Sequence, residues 1–510
     1  MRKIACLFVI GLFLWMPYIA IATDVPVSDA TAECIECHSS VHPSIVESWQ
    51  QSQHAKVTPQ TAMAVNGLAR KVSSKQVSDD LLTRAVGCAE CHTQRSTAHT
   101  DTFEHNGYDV HVVVSPKDCA ICHAQEADQY SKNIMAHAFN NLAANPVYHL
   151  LQNSILGTPE PADEKKGSIT IKPPNDATKA EACYYCHGTQ LSVKGYETRD
   201  TEAAGELEFP IIEGWPNQGV GRINLDGSRG SCSACHTRHT FSIKMARKPY
   251  TCKECHTGPD VPAFKVYAAS KHGNIFSSMN ESWNFDTVPW TIGQDFTAPT
   301  CAACHVSLLI NTDGEVVAER THQMNSRLPW RIFGLIYAHP HPKEPDTTTI
   351  RNKNGQSLPT AFDGEFAAKY LITEKEMNIR KENMQAVCLS CHAATWVNGQ
   401  WARFENTIQE TNTKTLRATN IMNEIWHLNL ADFKWKDTGP AGNPFDEAIE
   451  KKWSNTWLIY GNHIRFASAM GCGGDYGVFA NGRYDLSKTF MEMADWLKAR
   501  KRIFIQKGQP

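Results

Sequence analysis

Sixteen of the chain's 18 cysteines fall into eight copies of one pattern, Cys-x-x-Cys-His. The pairs are Cys34/Cys37, Cys88/Cys91, Cys119/Cys122, Cys183/Cys186, Cys232/Cys235, Cys252/Cys255, Cys301/Cys304 and Cys388/Cys391. Each is followed at once by a histidine: His38, His92, His123, His187, His236, His256, His305 and His392. Zinc sites need paired knuckles or a distant histidine pair, and a disulfide framework imposes no histidine at all. Covalent haem demands this very run: two thiols form thioethers to the porphyrin, and the adjacent imidazole reaches the iron. Eight c-type haems, with their iron, are therefore expected. Motifs so closely spaced leave little room for a conventional core, so the haems themselves must form much of the interior. The fold class that follows is mainly α, with short helices and turns and little strand; Val110 to Val114 is one of the few apolar β-branched runs.

The remaining composition excludes rather than identifies. A formal charge of -3 and a pI near 6.7 give no reason to expect nucleic acid or an anionic membrane surface as partner. The N-terminus reads as a signal peptide over residues 1–22. Met1-Arg2-Lys3 is a basic start, Ile4 to Met16 an apolar core, and Ala20-Ile21-Ala22 a small-x-small cleavage site. An uncleaved anchor is the other reading, but the apolar stretch is short for a span of about 20 residues. The mature protein is expected to be exported to the periplasm. Of the two cysteines outside the motifs, Cys6 lies in the signal and Cys472 reads as a small buried residue.

Haems that only transfer electrons have two strong axial ligands, whereas a catalytic haem keeps one position open. Beyond the eight proximal histidines, 14 of the 22 remain. Five sit in strings close to haem motifs and are the expected distal ligands: His54, His137, His239, His272 and His322. The surplus over eight means that counting alone cannot prove a vacancy.

Along the chain, residues 23–345 form a multihaem domain with seven motifs, and residues 346–510 a helical domain carrying the eighth. Phe362 to Tyr370, Lys375 to Cys388, Glu405 to Phe433 and Phe445 to Met470 are helix-forming stretches. Asn420, Ile421, Glu424, Ile425 and Leu428 carry part of the i, i+3, i+4 spacing. The proline-rich stretch Pro340 to Pro359, with Asn354-Gly355, reads as a linker.

Eight such motifs in this order, followed by a helical tail, resemble the octahaem hydroxylamine oxidoreductase family. The strings that carry the resemblance are Cys-His236-Thr-Arg-His239-Thr-Phe-Ser, Arg-Lys-Pro before the sixth motif, Ser-Lys-His272-Gly, and Ala-Pro-Thr-Cys301-Ala-Ala-Cys-His305. The likeness is strong from about 180 to 330 and topological elsewhere. It implies a homotrimer, seven bis-histidine haems, and a five-coordinate catalytic haem on Cys183, Cys186 and His187. It further implies, for oxidative members, a tyrosine cross-linked to that haem in a P460-type chromophore. Tyr476 is the candidate and Tyr484 the second, with a simple packed glycine turn as the alternative.

The departures from the family bear on direction. Oxidative members carry an Asp-His pair after the sixth motif; here Asp260 matches, but Val261 stands in place of the histidine. Phe333 occupies, by offset, the position of a further active-site tyrosine. About 45 residues separate the fourth and fifth motifs, where the best-known members have only a handful. The resemblance thus implies multi-electron chemistry on a small inorganic nitrogen compound, with Asp260 moving protons. The electron partner is a c-type or quinol-linked cytochrome. Losing two polar groups tilts the expectation towards reduction of nitrite or hydroxylamine to ammonium. Hydroxylamine oxidation to nitric oxide or nitrite, a pure electron conduit, and an oxyanion reductase stand as alternatives.

Overall fold

Three haem motifs form single helical turns of their own: Cys88–His92, Cys183–His187 and Cys301–His305. In an α-helical turn, residues three and four apart share a face, so both thiols and the imidazole of each motif point the same way. The computed structural model describes residues 25–163, 168–436, 439–471 and 480–506. All eight motifs open into one continuous cavity of about 3260 Å³. Ordinary ligand pockets are about 300–1,000 Å³, so this is an interior left for several large prosthetic groups.

Around the cavity the chain winds through short helices, among them α1 (Asp29–Val41), α2 (Pro43–Gln51) and α3 (Pro146–Leu156). Ser28, Ser52, Thr58 and Asn145 cap such helices, each side-chain oxygen accepting from backbone N–H groups of the first turn. The helical class read from the sequence is the class observed. Strand is confined to small units: the hairpin β1–β2 (Phe103–His105 and Tyr108–Val110), the hairpin β3–β4 (Thr158–Asp163 and Ser168–Lys172), and a few shorter pairs. The Val110 to Val114 run contributes only its first residue to a strand.

The exception is the hairpin β5–β6, Ser192–Thr201 paired with Gly205–Glu213. It lies in the segment between the fourth and fifth motifs. Its strands are largely exposed on both faces, so no hydrophobic alternation announced it.

The tail is helical, as expected, but with shifted bounds. α4 spans Glu374–Leu389, α5 Ala394–His427, α6 Ala448–Asn455, α7 Gly461–Gly471 and α8 Ala480–Gln506. A π-helical turn, Thr456–Tyr460, joins α6 to α7. Phe362 to Tyr370 is not a helix: Gly364 takes φ 91°, which ends any helical path, and only Ala368–Tyr370 makes a 3-10 turn. Within α5, Ala418, Met422 and Ile425 are buried against Trp453, Trp457 and Met493. Val147, Leu151, Leu335, Ile336 and Tyr337 belong to that same cluster, so the tail packs onto the multihaem segment rather than standing apart. The proline-rich stretch shares in this packing. Ile350, Gln356 and Leu358 are buried, and Pro342 bridges to Leu371. It is a folded strap, not an extended linker.

No described helix is long and apolar enough to cross a membrane. The expected signal segment, Cys6 and the loop with Cys472 and Tyr476 lie outside the described residues. Tyr484 lies on α8 with its side chain exposed.

Candidate haem centres and active site

An imidazole nitrogen binds a first-row metal at about 2 Å, and the ring centroid lies about 1 Å further, so two axial imidazoles on one iron hold their centroids about 6 Å apart. Besides His92, four proximal histidines have a second ring at this separation. His38 faces His105 at 6.1 Å, His123 faces His54 at 6.3 Å, His236 faces His322 at 6.4 Å, and His392 faces His272 at 6.1 Å. Burial pushes the His54, His236 and His322 imidazoles down to about 4, so each presents a lone pair rather than a second proton. His239 is also pushed down to about 4, by burial first and then by its neighbour His92, to which it stands close.

A second class of contact orients the proximal rings. The Nδ1–H of His92 donates to the His111 carbonyl at 2.8 Å, and Nδ1 of His187 faces the Ala138 carbonyl at 3.3 Å. Such bonds fix the tautomer and leave Nε2 for the metal. His111 also lies 6.1 Å from His92, ring to ring, but it sits on the Nδ1 side and packs against His99 instead.

Of the five expected distal ligands, four line the cavity: His54, His239, His272 and His322. His137 does not. Its Nε2 bonds to the Ser131 carbonyl at 3.0 Å, and its Nδ1 accepts from Arg229 at 2.7 Å, which leaves no nitrogen for iron. Sequence reasoning missed His105 and His341. The first lies on a β-strand far from its partner motif. The second is buried inside the expected linker, with its Nδ1 unpaired, and lines the cavity. His187, His256 and His305 have no facing ring at sandwich distance among the described residues.

The motif thiols follow the expectation with one correction. Fifteen of the 16 line the cavity, but Cys37 does not; it is exposed, whereas its partner Cys34 is half-buried and on the wall. The reason lies in α1, a surface helix that buries only Thr31. Three residues advance a helix by about 300°, which sets the Cys37 side chain about 60° round α1 from Cys34, towards solvent. The first motif thus meets the cavity through Cys34 and His38, with Cys37 at its outer edge.

The residues present suit haem in two further ways. None of the 16 described cysteines is in a disulfide, as thioether attachment of haem requires. Arg222, Arg247 and Arg327 are buried, line the cavity, and hydrogen-bond only to neutral acceptors. A buried guanidinium without a carboxylate is costly, and haem propionates entering the cavity would supply the missing charge.

Neighbouring motifs touch. Cys119 lies beside Cys232, Cys252 beside Cys301, and Cys186 beside Cys255, each pair close enough for a thiol hydrogen bond. Cys34 and Cys88, Cys91 and Cys122, and Cys235 and Cys252 lie near enough to interact electrostatically. Through these pairs the first, second, third, fifth, sixth and seventh motifs form a connected run. The fourth, which enters only the pair of Cys186 and Cys255 among them, joins at the sixth as a side branch.

At that branch His187 is half-buried and its imidazole is pulled down, by desolvation first; Asp260 opposes the shift electrostatically. Asp260 lines the cavity on the loop after the sixth motif. Two consecutive residues at the start of α7 hold this loop. Asn462 donates to the Asp260 carbonyl at 3.0 Å, and His463 Nε2 lies 2.7 Å from the Pro259 carbonyl. Beside Asp260 the wall is apolar: Val261, Phe333, Phe466 and Met470 belong to one cluster around Val266. The two departures noted in the sequence, Val261 and Phe333, thus come together in space.

The backbone under His187 is unusually close. Gly188 takes φ +93°, and a Cβ there would lie 2.3 Å from the Arg222 nitrogen. Gly219 and Gly221 press equally close to Gly188 and to the His187 carbonyl. The segment from Gly214 to Gly230 therefore wraps the fourth motif.

Motifs, paired rings and shared cavity together define a multihaem c-type cytochrome. Comparison with known proteins carries this further. Residues 218–330 match the family model described as seven times multi-haem cytochrome CxxCH, and residues 29–111 and 118–207 match that of cytochrome c554 and c-prime. A solved structure, a hypothetical multiheme protein, is 36% identical and superposes with a TM-score of 0.85, covering 95% of this chain and 98% of that one. A chain of the Kuenenia stuttgartiensis reducing HAO-like protein complex has the same fold, with a TM-score of 0.59 at 16% identity, over 94% of this chain and 87% of that one. A probable nitrite reductase-hydroxylamine oxidoreductase fusion protein of the same organism is 26% identical over 396 residues, or 74% of this chain. The chain spans only 36% of that curated relative's length. The chain belongs to the multihaem c-type cytochromes, and it holds several c-type haems with their iron.

Proposed function

We propose that this chain is an exported, periplasmic octahaem oxidoreductase, with one haem on each motif. Its substrate is nitrite or hydroxylamine, which it reduces towards ammonium at the motif of His187. Electrons arrive from a c-type or quinol-linked cytochrome, and three copies assemble as a homotrimer. The name of the Kuenenia fusion protein supports a nitrogen substrate. The side-branch position of the fourth motif supports its choice as the site, because an electron relay has no use for a dead end.

The observation that carries the direction is the wall beside Asp260. When bound, the haem at His187 would supply an open metal position for the substrate nitrogen and the electrons for its reduction. Asp260 is a carboxylate the chain offers there, and its task is to hold and deliver a proton at its carboxyl oxygen. Asn462 and His463 keep it at a fixed height over the site. Val261, Phe333 and Phe466 exclude water and accept no protons. Oxidation of hydroxylamine must dispose of several protons, and this wall gives them few acceptors.

A second reading, hydroxylamine oxidation to nitric oxide or nitrite, is favoured by Asp260 itself, the retained half of the oxidative pair. It would draw on a P460-type cross-link through Tyr476. Steady-state assays decide: nitrite or hydroxylamine reduction with an artificial donor, against hydroxylamine oxidation with a cytochrome acceptor. Turnover only in the second assay, with a reduced band near 460 nm, would overturn the reductive reading. A wholly low-spin ferric EPR spectrum would sink both.

A further inference from the structure

Away from the Asp260 site, the segment between the second and third motifs buries a polar cluster that the proposed reaction does not use. His99, His111, Asp101 and Asp118 are each less than one-tenth exposed. His99 Nε2 lies 3.2 Å from Asp118 Oδ1, and His99 Nδ1 lies 3.7 Å from Asp101 Oδ1. His111 Nε2 is 3.9 Å from the other Asp118 oxygen. Four atoms here have no hydrogen-bond partner: His99 Nδ1, both nitrogens of His111, and Asp101 Oδ1.

Two imidazoles and a carboxylate this close suggest a metal site. The ring geometry argues against one. The His99 and His111 centroids are 3.7 Å apart with 8° between planes. A metal lies in the plane of every imidazole that binds it, and two rings stacked so closely share no point where one ion meets both lone pairs.

What the cluster lacks is positive charge. Asp101, Asp118 and Asp226 are set against a single guanidinium, Arg95, which pairs with Asp118 at 2.7 Å and Asp226 at 3.4 Å. Asp101 is left with the Val112 and Val113 N–H groups and His99; Arg222 acts on it only at longer range. An imidazolium at His99 restores the balance. Burial pulls its titration down, but the two aspartates outweigh burial and hold it at about 9, while burial and His99 push His111 down to about 4.

The cluster is wired to a haem ligand. His111, stacked under His99, accepts at its carbonyl the Nδ1–H of His92. We propose that His99, set between Asp101 and Asp118 and stacked on His111, binds the proton that accompanies an electron onto the haem held at His92. This rests on the reading that His92 ligates a haem. One electron enters the iron from the cytochrome donor, one proton passes from water to His99, and no bond to a heavy atom is made or broken. The role is that of a positioning group for charge, acting through His111.

The test is redox titration of the holoprotein from pH 6 to 10, followed by haem absorption and EPR. One wave is expected to be flat at the acid end, where His99 already carries its proton, and to fall towards the alkaline end, approaching about 59 mV per pH unit, the one-electron equivalent of a tenfold change. In His99→Gln that wave is expected to become flat. In Asp101→Asn, which preserves shape, the fall is expected to move to lower pH. A wild-type protein whose waves are all flat, a slope that survives in His99→Gln, or a stoichiometric non-haem metal in the purified protein would each overturn the proposal. Failure of the underlying reading shows separately, as a missing haem mass on the peptide Cys88–His92.

Discussion

Asp260 and Glu450 show how differently two carboxylates of one chain can be employed. If Asp260 delivers protons to substrate, Asp260→Asn removes the titrating oxygen while keeping the side-chain shape. Turnover is then expected to fall by about 10²–10⁴-fold, the usual range for a general acid, with haem content unchanged; stopped-flow and pyridine haemochrome assays check both. Glu450 touches no cavity. It is fully buried, accepts from the Trp426 indole at 2.8 Å, and burial raises its titration to about 8. Because the folded state holds this proton more tightly than the unfolded state, stability must decline as pH rises from the ordinary carboxylate range near 4.5 to about 8. Glu450→Gln removes the charge and keeps one acceptor, for the Trp426 indole, while giving up the bond from the Glu447 N–H. Thermal melts across pH 5 to 8 should show a shallower decline for the variant and a higher Tm than wild type at pH 8.

At the scale of elements, the loop wrapping the fourth motif invites a direct test. Gly188→Ala would place a methyl group 2.3 Å from the Arg222 nitrogen, at a φ that L-residues avoid. Haem attachment or spin state at Cys183–His187 should change while the other motifs keep theirs; peptide mass mapping and EPR resolve the two. Legibility also divides by element. The motifs, the helical class and four histidines that line the cavity, His54, His239, His272 and His322, were visible because their chemistry is written in contiguous strings. Even there a string says nothing of which side of its helix meets solvent, and Cys37 on α1 faces outward. His105 and His341 were not visible, since their partners lie far along the chain and only tertiary packing brings the rings together. His137 sat in a convincing string, yet Ser131 and Arg229 take both its nitrogens, a fact no local pattern reveals. The hairpin β5–β6 was invisible for a different reason. Its strands bury little, so backbone pairing rather than hydrophobic alternation defines them.

For the whole molecule, the cavity dominates. Its 3260 Å³ replaces the side-chain core over much of the chain, leaving two sizeable aromatic clusters, one in the tail with Trp426, Trp453 and Trp457 and one around Phe276, Trp283, Phe285, Trp290 and Phe296. Expressed without haem attachment, the chain is expected to keep helix in the tail but lose cooperative tertiary structure elsewhere. Far-UV circular dichroism with near-UV signal loss and rapid proteolysis before residue 345 would show it. With attachment intact, the mature mass should exceed that of the polypeptide by eight haems.

The side branch at the fourth motif has a kinetic consequence. A group in the main line is emptied as fast as it is filled, because charge can leave in two directions. One at the end of a spur sees traffic through a single neighbour, here the motif of Cys252 and Cys255. A substrate bound there is served in strict succession by one supplier, which the rest of the line keeps charged. On the proposed reading the spur would act as a turnstile, letting a six-electron conversion proceed in unit steps at a single iron.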